Sequence, residues 1–127
     1  MTVRVRGRSD IGQSTVEIAL AVPIVVVILL VVLQVSVVVR DAVALTAAAR
    51  AGARRAMVAP DRSAVLAAAS GETRLRRERL RVSVSGDPGP DGFVTVVVSY
   101  RSPTDVPFVG SFVGDVDLSE RLVVLRE

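Results

Sequence analysis

The chain contains no cysteine, no histidine and no tryptophan, and only 3% of its 127 residues are aromatic. These absences exclude a disulfide framework, a thiol nucleophile, a Ser-His-Asp triad and a thiolate or imidazole zinc site. We therefore expect a protein that is not an enzyme and that holds no metal and no cofactor. All 16 basic residues are arginine, but 13 acidic residues reduce the net charge to +3. Because aromatic residues for base stacking are also scarce, we expect no nucleic-acid partner.

Half of the residues are hydrophobic, and the mean hydropathy of +0.51 is high for so small a chain. One segment carries this excess, because residues 18–39 contain no charge and only Pro23, Gln34 and Ser36 interrupt the apolar side chains. As a helix the segment is about 33 Å long, enough to cross a hydrocarbon core of about 30 Å. A strand of this length is rare. The sequence predicts one transmembrane helix and hence a lipid bilayer as partner.

A secretory signal peptide is the alternative reading of this segment. Its apolar region is about 7 to 15 residues long, which is shorter than the segment found here. In that reading the small residues before Arg50 would mark a cleavage after Ala49.

A basic leader precedes the span and sets the expected orientation. Arg4, Arg6 and Arg8 favour a cytoplasmic N-terminus, although the arginines that follow the span match or outnumber them. Since a larger C-terminal domain is translocated largely regardless of its charge, we expect a single-pass protein of the plasma (inner) membrane with an extracytoplasmic C-terminal domain.

The residues at the membrane boundary form a recognisable helix start. Ser14 and Glu17 are spaced as a capping box, in which Ser14 accepts from the Glu17 amide and Glu17 reaches back to the Ser14 amide. A carboxylate at the head of a membrane helix is also commonly functional or paired. Ser14 is therefore the predicted helix cap, and Glu17 has two interpretations.

Gly12 ends the basic leader five residues before Glu17, and an apolar helix follows. This arrangement resembles the class III signal of type IV pilins and pseudopilins. The resemblance implies that a prepilin peptidase cuts between Gly12 and Gln13 and leaves Gln13 as the new N-terminus. It also implies that Glu17 neutralises the N-terminal amine of a neighbouring subunit during assembly.

A longer match narrows the resemblance. Residues 12–17, the Ala19, Leu20 and Pro23 that follow, and residues 48–56 together resemble the TadE-like pseudopilins of tight-adherence (Flp) pilus systems. Ile18 stands where the major pilins of these systems carry an aromatic residue, and a further domain is present. The resemblance therefore implies a minor pseudopilin with roles in pilus initiation, adhesion or secretion, whose partners are other pilins and pseudopilins and the inner-membrane assembly platform.

A signal-anchored envelope protein is the alternative function. Such a protein would never enter a filament and would use its extracytoplasmic domain to bind an external partner.

The helix has further features on both sides of the membrane boundary. Pro23 lies inside the span, so a kink or a local loss of helix is expected there. Helix-forming residues continue beyond the span to about Ala59. Ala44, Ala48 and Gly52 recur every four residues and form a helix-packing face, which either the chain's own C-terminal part or another subunit could cover.

The C-terminal part changes to strand periodicity. Asp61 or Ser63 caps a short helix over 64–69, and alternating residues predict strands near 80–84 and 94–100, with a third at 121–126. The loop 102–118, with Phe108 and Phe112, is apolar enough to fold back as a plug or to bind something.

The predicted fold class is α+β, with a single long N-terminal transmembrane helix that extends outward and is packed by a small antiparallel sheet in a pilin-like arrangement. The predicted segments are a cleaved leader (1–12), the long helix (13–59, with the span at about 18–39) and an extracytoplasmic α+β tail (60–127).

Overall fold

A computed structural model describes residues 9–86 and 92–126 of the chain. The elements in chain order are α1 (Ser9–Val58), α2 (Arg62–Gly71), a short 3-10 turn (Arg77–Arg79), β1 (Leu80–Gly86), β2 (Phe93–Ser102), α3 (Gly110–Val113) and β3 (Val116–Leu125). Most of the basic leader and the Pro/Gly-rich turn between the first two strands lie outside the described residues. One long helix followed by a three-stranded sheet confirms the α+β prediction.

The long helix α1 is a single element of 50 residues. It ends at Val58, two residues before Pro60, whose ring and missing N–H prevent continuation. The helix is unbroken through Pro23, so the local loss of helix that we expected there does not occur. A bend at Pro23 stays a prediction.

The start of α1 differs from the expected start. The helix begins at Ser9, so Ser14 lies in its second turn and not at its N-terminus. In the described chain Ser14 therefore lies within the helix, and its role as the cap of a helix that starts near Gln13 stays a prediction.

Helix α2 has the expected cap. The Asp61 carboxylate accepts a hydrogen bond from the Ala64 backbone N–H at 3.1 Å, and the Ser63 hydroxyl donates to the same oxygen. These donors favour the charged carboxylate, and they lower the pKa of Asp61 below its ordinary value of 3.8, with the Ser63 hydroxyl contributing most. Asp61 is thus the residue that starts α2.

The three strands form an antiparallel meander in the order β1-β2-β3. Val82 is paired with Val98, and Val98 is paired with Glu120. Strand β3 begins at Val116, five residues earlier than predicted. Glu120 concealed this extension, because it occupies an inward position where the pattern requires an apolar residue. The structure accommodates it through a hydrogen bond from the Thr46 hydroxyl at 3.1 Å.

The core lies between the second half of α1, helix α2 and one face of the sheet. Leu45 of α1, Val65 of α2, and Val96 and Val98 of β2 are its largest fully buried apolar side chains. The sheet therefore depends on α1 for burial of its inner face, as expected for a sheet of three strands.

Candidate functional site: an uncovered apolar helix and its junction with the C-terminal domain

The first half of α1 is apolar, and the described parts of the chain bury none of its residues from 12 to 33. An 18-residue stretch within it has a mean hydropathy of 3.1, and none of that stretch is buried. Large side chains such as Leu20, Ile24 and Leu33 are more than half exposed. The core helix of a water-soluble protein shows the opposite pattern. An apolar surface of this extent normally contacts lipid or another protein, so the helix is compatible with a single-pass membrane anchor.

The two residues of the predicted cleavage site lie within α1, where both are exposed. Apart from its chain neighbours and the nearby backbone of α1 itself, no heavy atom of the described residues lies within 4 Å of the position that a Cβ atom would occupy at Gly12. The described contacts therefore do not require a glycine there, although glycine weakens a helix interior by about 1 kcal/mol relative to alanine.

Glu17 is an exposed residue one turn after Gln13, so both residues lie on the same face of α1. After a cut between Gly12 and Gln13, the new amine and this carboxylate would be neighbours on one helix end. Both would then be available to a second chain.

We define the C-terminal domain as residues 60–126. Among the residues that the structure describes, three side-chain hydrogen bonds join α1 to this domain. Gln34 is only 5% exposed, and its Nε2 donates to Thr104 Oγ1 at 3.3 Å. Asp41, also 5% exposed, accepts from the Ser102 hydroxyl at 2.7 Å. The third contact is the hydrogen bond from the Thr46 hydroxyl to Glu120. The C-terminal domain therefore begins to cover α1 at Gln34.

Sequence reasoning missed most of this junction. Gln34 was noted only as a polar residue within the span, and Asp41 had no role. A signal was present in their spacing, because Gln34 and Asp41 lie seven residues apart, on the face that continues through Leu45, Ala48 and Gly52. All five are buried in the structure.

The structure places the predicted small-residue face against the chain's own C-terminal domain. Ala48 is completely buried, and Ala44 packs against the core from its edge. Gly52 lies under α2, where an added Cβ would be 3.1 Å from Val65 Cγ1. Of the two occupants considered for this face, the chain's own tail is the one observed.

Of the two possibilities left open for the loop 102–118, a plug or a binding surface, the structure does not show the plug. Phe108 and Phe112 are 78% and 89% exposed, so the loop does not fold back into the core. Among residues 9–86 and 92–126, no three acidic side chains come close enough together to hold a metal ion.

One family of known proteins matches part of this chain. The family model described as TadE-like protein matches residues 12–54, which span the uncovered part of α1 and much of its packed part. No curated protein matches the chain, and no solved structure matches it. The resemblance drawn from residues 12–17 and 48–56 is thereby confirmed, and the sheet lies outside the matched segment.

Proposed function

We propose, from the TadE-like match over residues 12–54, that this chain is a minor pseudopilin of a tight-adherence (Flp-type) pilus system. Its work is assembly and not catalysis. The protein contributes to pilus initiation, adhesion or secretion together with other pilins and the inner-membrane assembly platform.

One observation carries the proposal. The TadE-like segment coincides with a helix whose first half is apolar and uncovered and whose second half is packed by the C-terminal domain. Such a helix holds the protein in the inner membrane, with its N-terminus in the cytoplasm and the C-terminal domain outside. The same apolar surface then packs against the helices of other subunits as they leave the lipid. Lipid tails are as apolar as the surface of this helix, so leaving the lipid brings no hydrophobic gain. Close van der Waals packing between the helices therefore drives this step.

Cleavage after Gly12 by a prepilin peptidase precedes assembly. Since the described surroundings of Gly12 leave ample space for a side chain, its presence fits a recognition role better than a packing role. The cut exposes the Gln13 amine and leaves the Glu17 carboxylate one turn away. In an apolar surrounding each charge is costly alone, so the amine of one subunit pairs with Glu17 of the next.

The first experiment is to determine the intact mass and N-terminal sequence of the protein from its native membranes, with and without the peptidase. We expect a start at Gln13 that depends on the peptidase. An intact leader would contradict processing, and a start at Arg50 would identify a secretory signal peptide.

The role of Glu17 is tested by Glu17→Gln, which removes the charge and retains the size of the side chain. Glu78→Gln is the matched control, because Glu78 is an exposed carboxylate in the C-terminal domain. We expect the variant at position 17 to insert in the membrane and to be cleaved but to lower the yield of sheared surface pili, while the control leaves that yield unchanged. Equal yields for wild type and Glu17→Gln would favour the envelope protein that never enters a filament.

A further inference from the structure

The loop between β2 and β3, which we define as residues 103–115, presents large apolar side chains to the outside. Two of the three phenylalanines of the chain lie on it, and both are among its most exposed hydrophobic residues. Val113 is 59% exposed beside them. These three side chains lie within six residues of one another on one loop, and an exposed apolar patch normally marks contact with another molecule.

Internal bonds hold this loop in one conformation. The Thr104 hydroxyl donates to the Gly114 carbonyl, and the Thr104 N–H donates to Asp115 Oδ1 at 3.3 Å, so the two ends of the loop are joined. The Gly110 N–H bonds the Val106 carbonyl at 3.0 Å, and an added Cβ at Gly110 would overlap the Thr104 carbonyl oxygen. Phe108 has a φ of 66°, which is unfavourable for a bulky residue. The apolar side chains are thus held outward by a constrained backbone.

The position of the loop along α1 is fixed by Gln34. The Gln34 amide donates to Thr104 at the base of the loop. Gln34 lies six residues before Arg40, the first charge after the apolar run. At about 1.5 Å per residue, the base of the loop is bonded to α1 about 9 Å on the apolar side of that charge. Apolar elements at a membrane surface lie about 5–10 Å deep, at the boundary of headgroups and acyl chains.

Basic side chains lie at the same place. A cavity of about 270 Å³ is lined by Arg40, Arg74 and Arg76, and also by the carboxylates of Asp41 and Asp105. Asp41 is paired with Arg40 at 3.5 Å, so the arginines of this cavity outnumber its carboxylates by one. Guanidinium groups suit phosphate, because their donors match its oxygens in pairs. Apolar side chains beside arginines are complementary to a phospholipid surface, which carries acyl chains below its phosphates.

We propose that residues 103–115 form a second membrane contact, in which Phe108, Phe112 and Val113 enter the headgroup region of the leaflet from which α1 emerges. Arg40, Arg74 and Arg76 bind lipid phosphates above them. The C-terminal domain is therefore seated on the bilayer in one orientation around α1. This inference rests on the membrane anchoring part of the proposed function.

The absence of tryptophan from the chain allows a direct test. Phe112→Trp places a single reporter in the loop of the full chain, which is reconstituted in phosphatidylcholine vesicles with or without brominated acyl chains. Phe93→Trp is the matched control. Phe93 is exposed too, but it begins β2, about 30 Å along the strand from the loop. Leu29→Trp reports on α1 itself.

We expect brominated lipid to quench the tryptophans at positions 112 and 29 and to leave the one at position 93 unaffected. Quenching at 29 without quenching at 112, combined with free access of acrylamide to position 112, would overturn the inference and leave the anchored helix intact. If the tryptophan at position 112 is shielded from acrylamide but is not quenched by brominated lipid, the membrane contact is overturned. The loop is then covered by a second copy of the chain. Absence of quenching at position 29 would contradict the anchor itself.

Discussion

Replacing Val65 with alanine tests whether α2 covers the small-residue face of α1, as the structure shows. Val65 is completely buried, and its Cγ1 would be 3.1 Å from a Cβ at Gly52. The substitution removes two methyl groups at about 0.8 kcal/mol each, and the cavity left behind brings the expected loss of unfolding free energy to about 2–3 kcal/mol.

Gly52→Ala is the second member of a double-mutant cycle. In a helix interior alanine is favoured over glycine by about 1 kcal/mol, but the tight contact with Val65 costs a similar amount, so the single variant is expected to be near neutral. In the Val65→Ala background the same methyl group enters vacated space. We therefore expect the free energy of unfolding of the double variant to be about 1 kcal/mol higher than the value obtained by adding the two single effects.

The assay uses a reporter that the protein already contains. Tyr100 is the only tyrosine and is buried in the core, so its emission in urea follows unfolding of the C-terminal domain while detergent holds the apolar half of α1. Val123→Ala, at an exposed valine of β3, combined with Gly52→Ala provides the control pair. Purely additive effects of the Val65 and Gly52 substitutions would refute the packing of α2 on this face.

Two further predictions concern single polar groups. Ser102→Ala removes the hydroxyl that donates to the buried Asp41 carboxylate, and we expect it to lower the free energy of unfolding by about 1.5–3 kcal/mol in the urea assay. The control Ser119→Ala, on the exposed face of β3, should change it little. Equal losses for the two variants would contradict the contact between Ser102 and Asp41. The second prediction is that Asp61→Asn, which keeps a capping side chain, weakens the acid dependence of stability. Because folding lowers the pKa of Asp61, its ionised form stabilises the fold fully above the ordinary value of 3.8, and this contribution is lost as the pH falls through the lower folded value. Urea midpoints between about pH 5 and pH 2 should fall less steeply for this variant than for wild type, and parallel curves would contradict the role of the cap.

Elements governed by neighbouring residues were predicted from the sequence with little error. The end of α1 before Pro60 and the Asp61 cap of α2 match the structure, because proline and capping residues act within one turn. Strands β1 and β2 follow from their period of two. The start of β3 was missed because Glu120 interrupts that period, and its partner Thr46 lies 74 residues away.

The candidate site divides in the same way. The apolar segment, Gly12 and Glu17 are visible in the sequence, and the TadE-like match covers them. The burial of Gln34 and Asp41 is not visible locally, because their partners Thr104 and Ser102 are 70 and 61 residues distant. Exposure of Phe112 likewise follows from bonds that join the ends of its loop.

The sequence by itself determined that one helix of this protein is long and apolar enough to span a bilayer, since length and the absence of charge over residues 18–39 suffice for that. It also determined a short capped helix and a sheet too small to be stable alone. Only the tertiary structure decided which face of α1 the domain covers and where that cover begins. Those outcomes depend on the register of β2 and β3 over α1, which brings together residues that are far apart in the chain and that no local pattern connects.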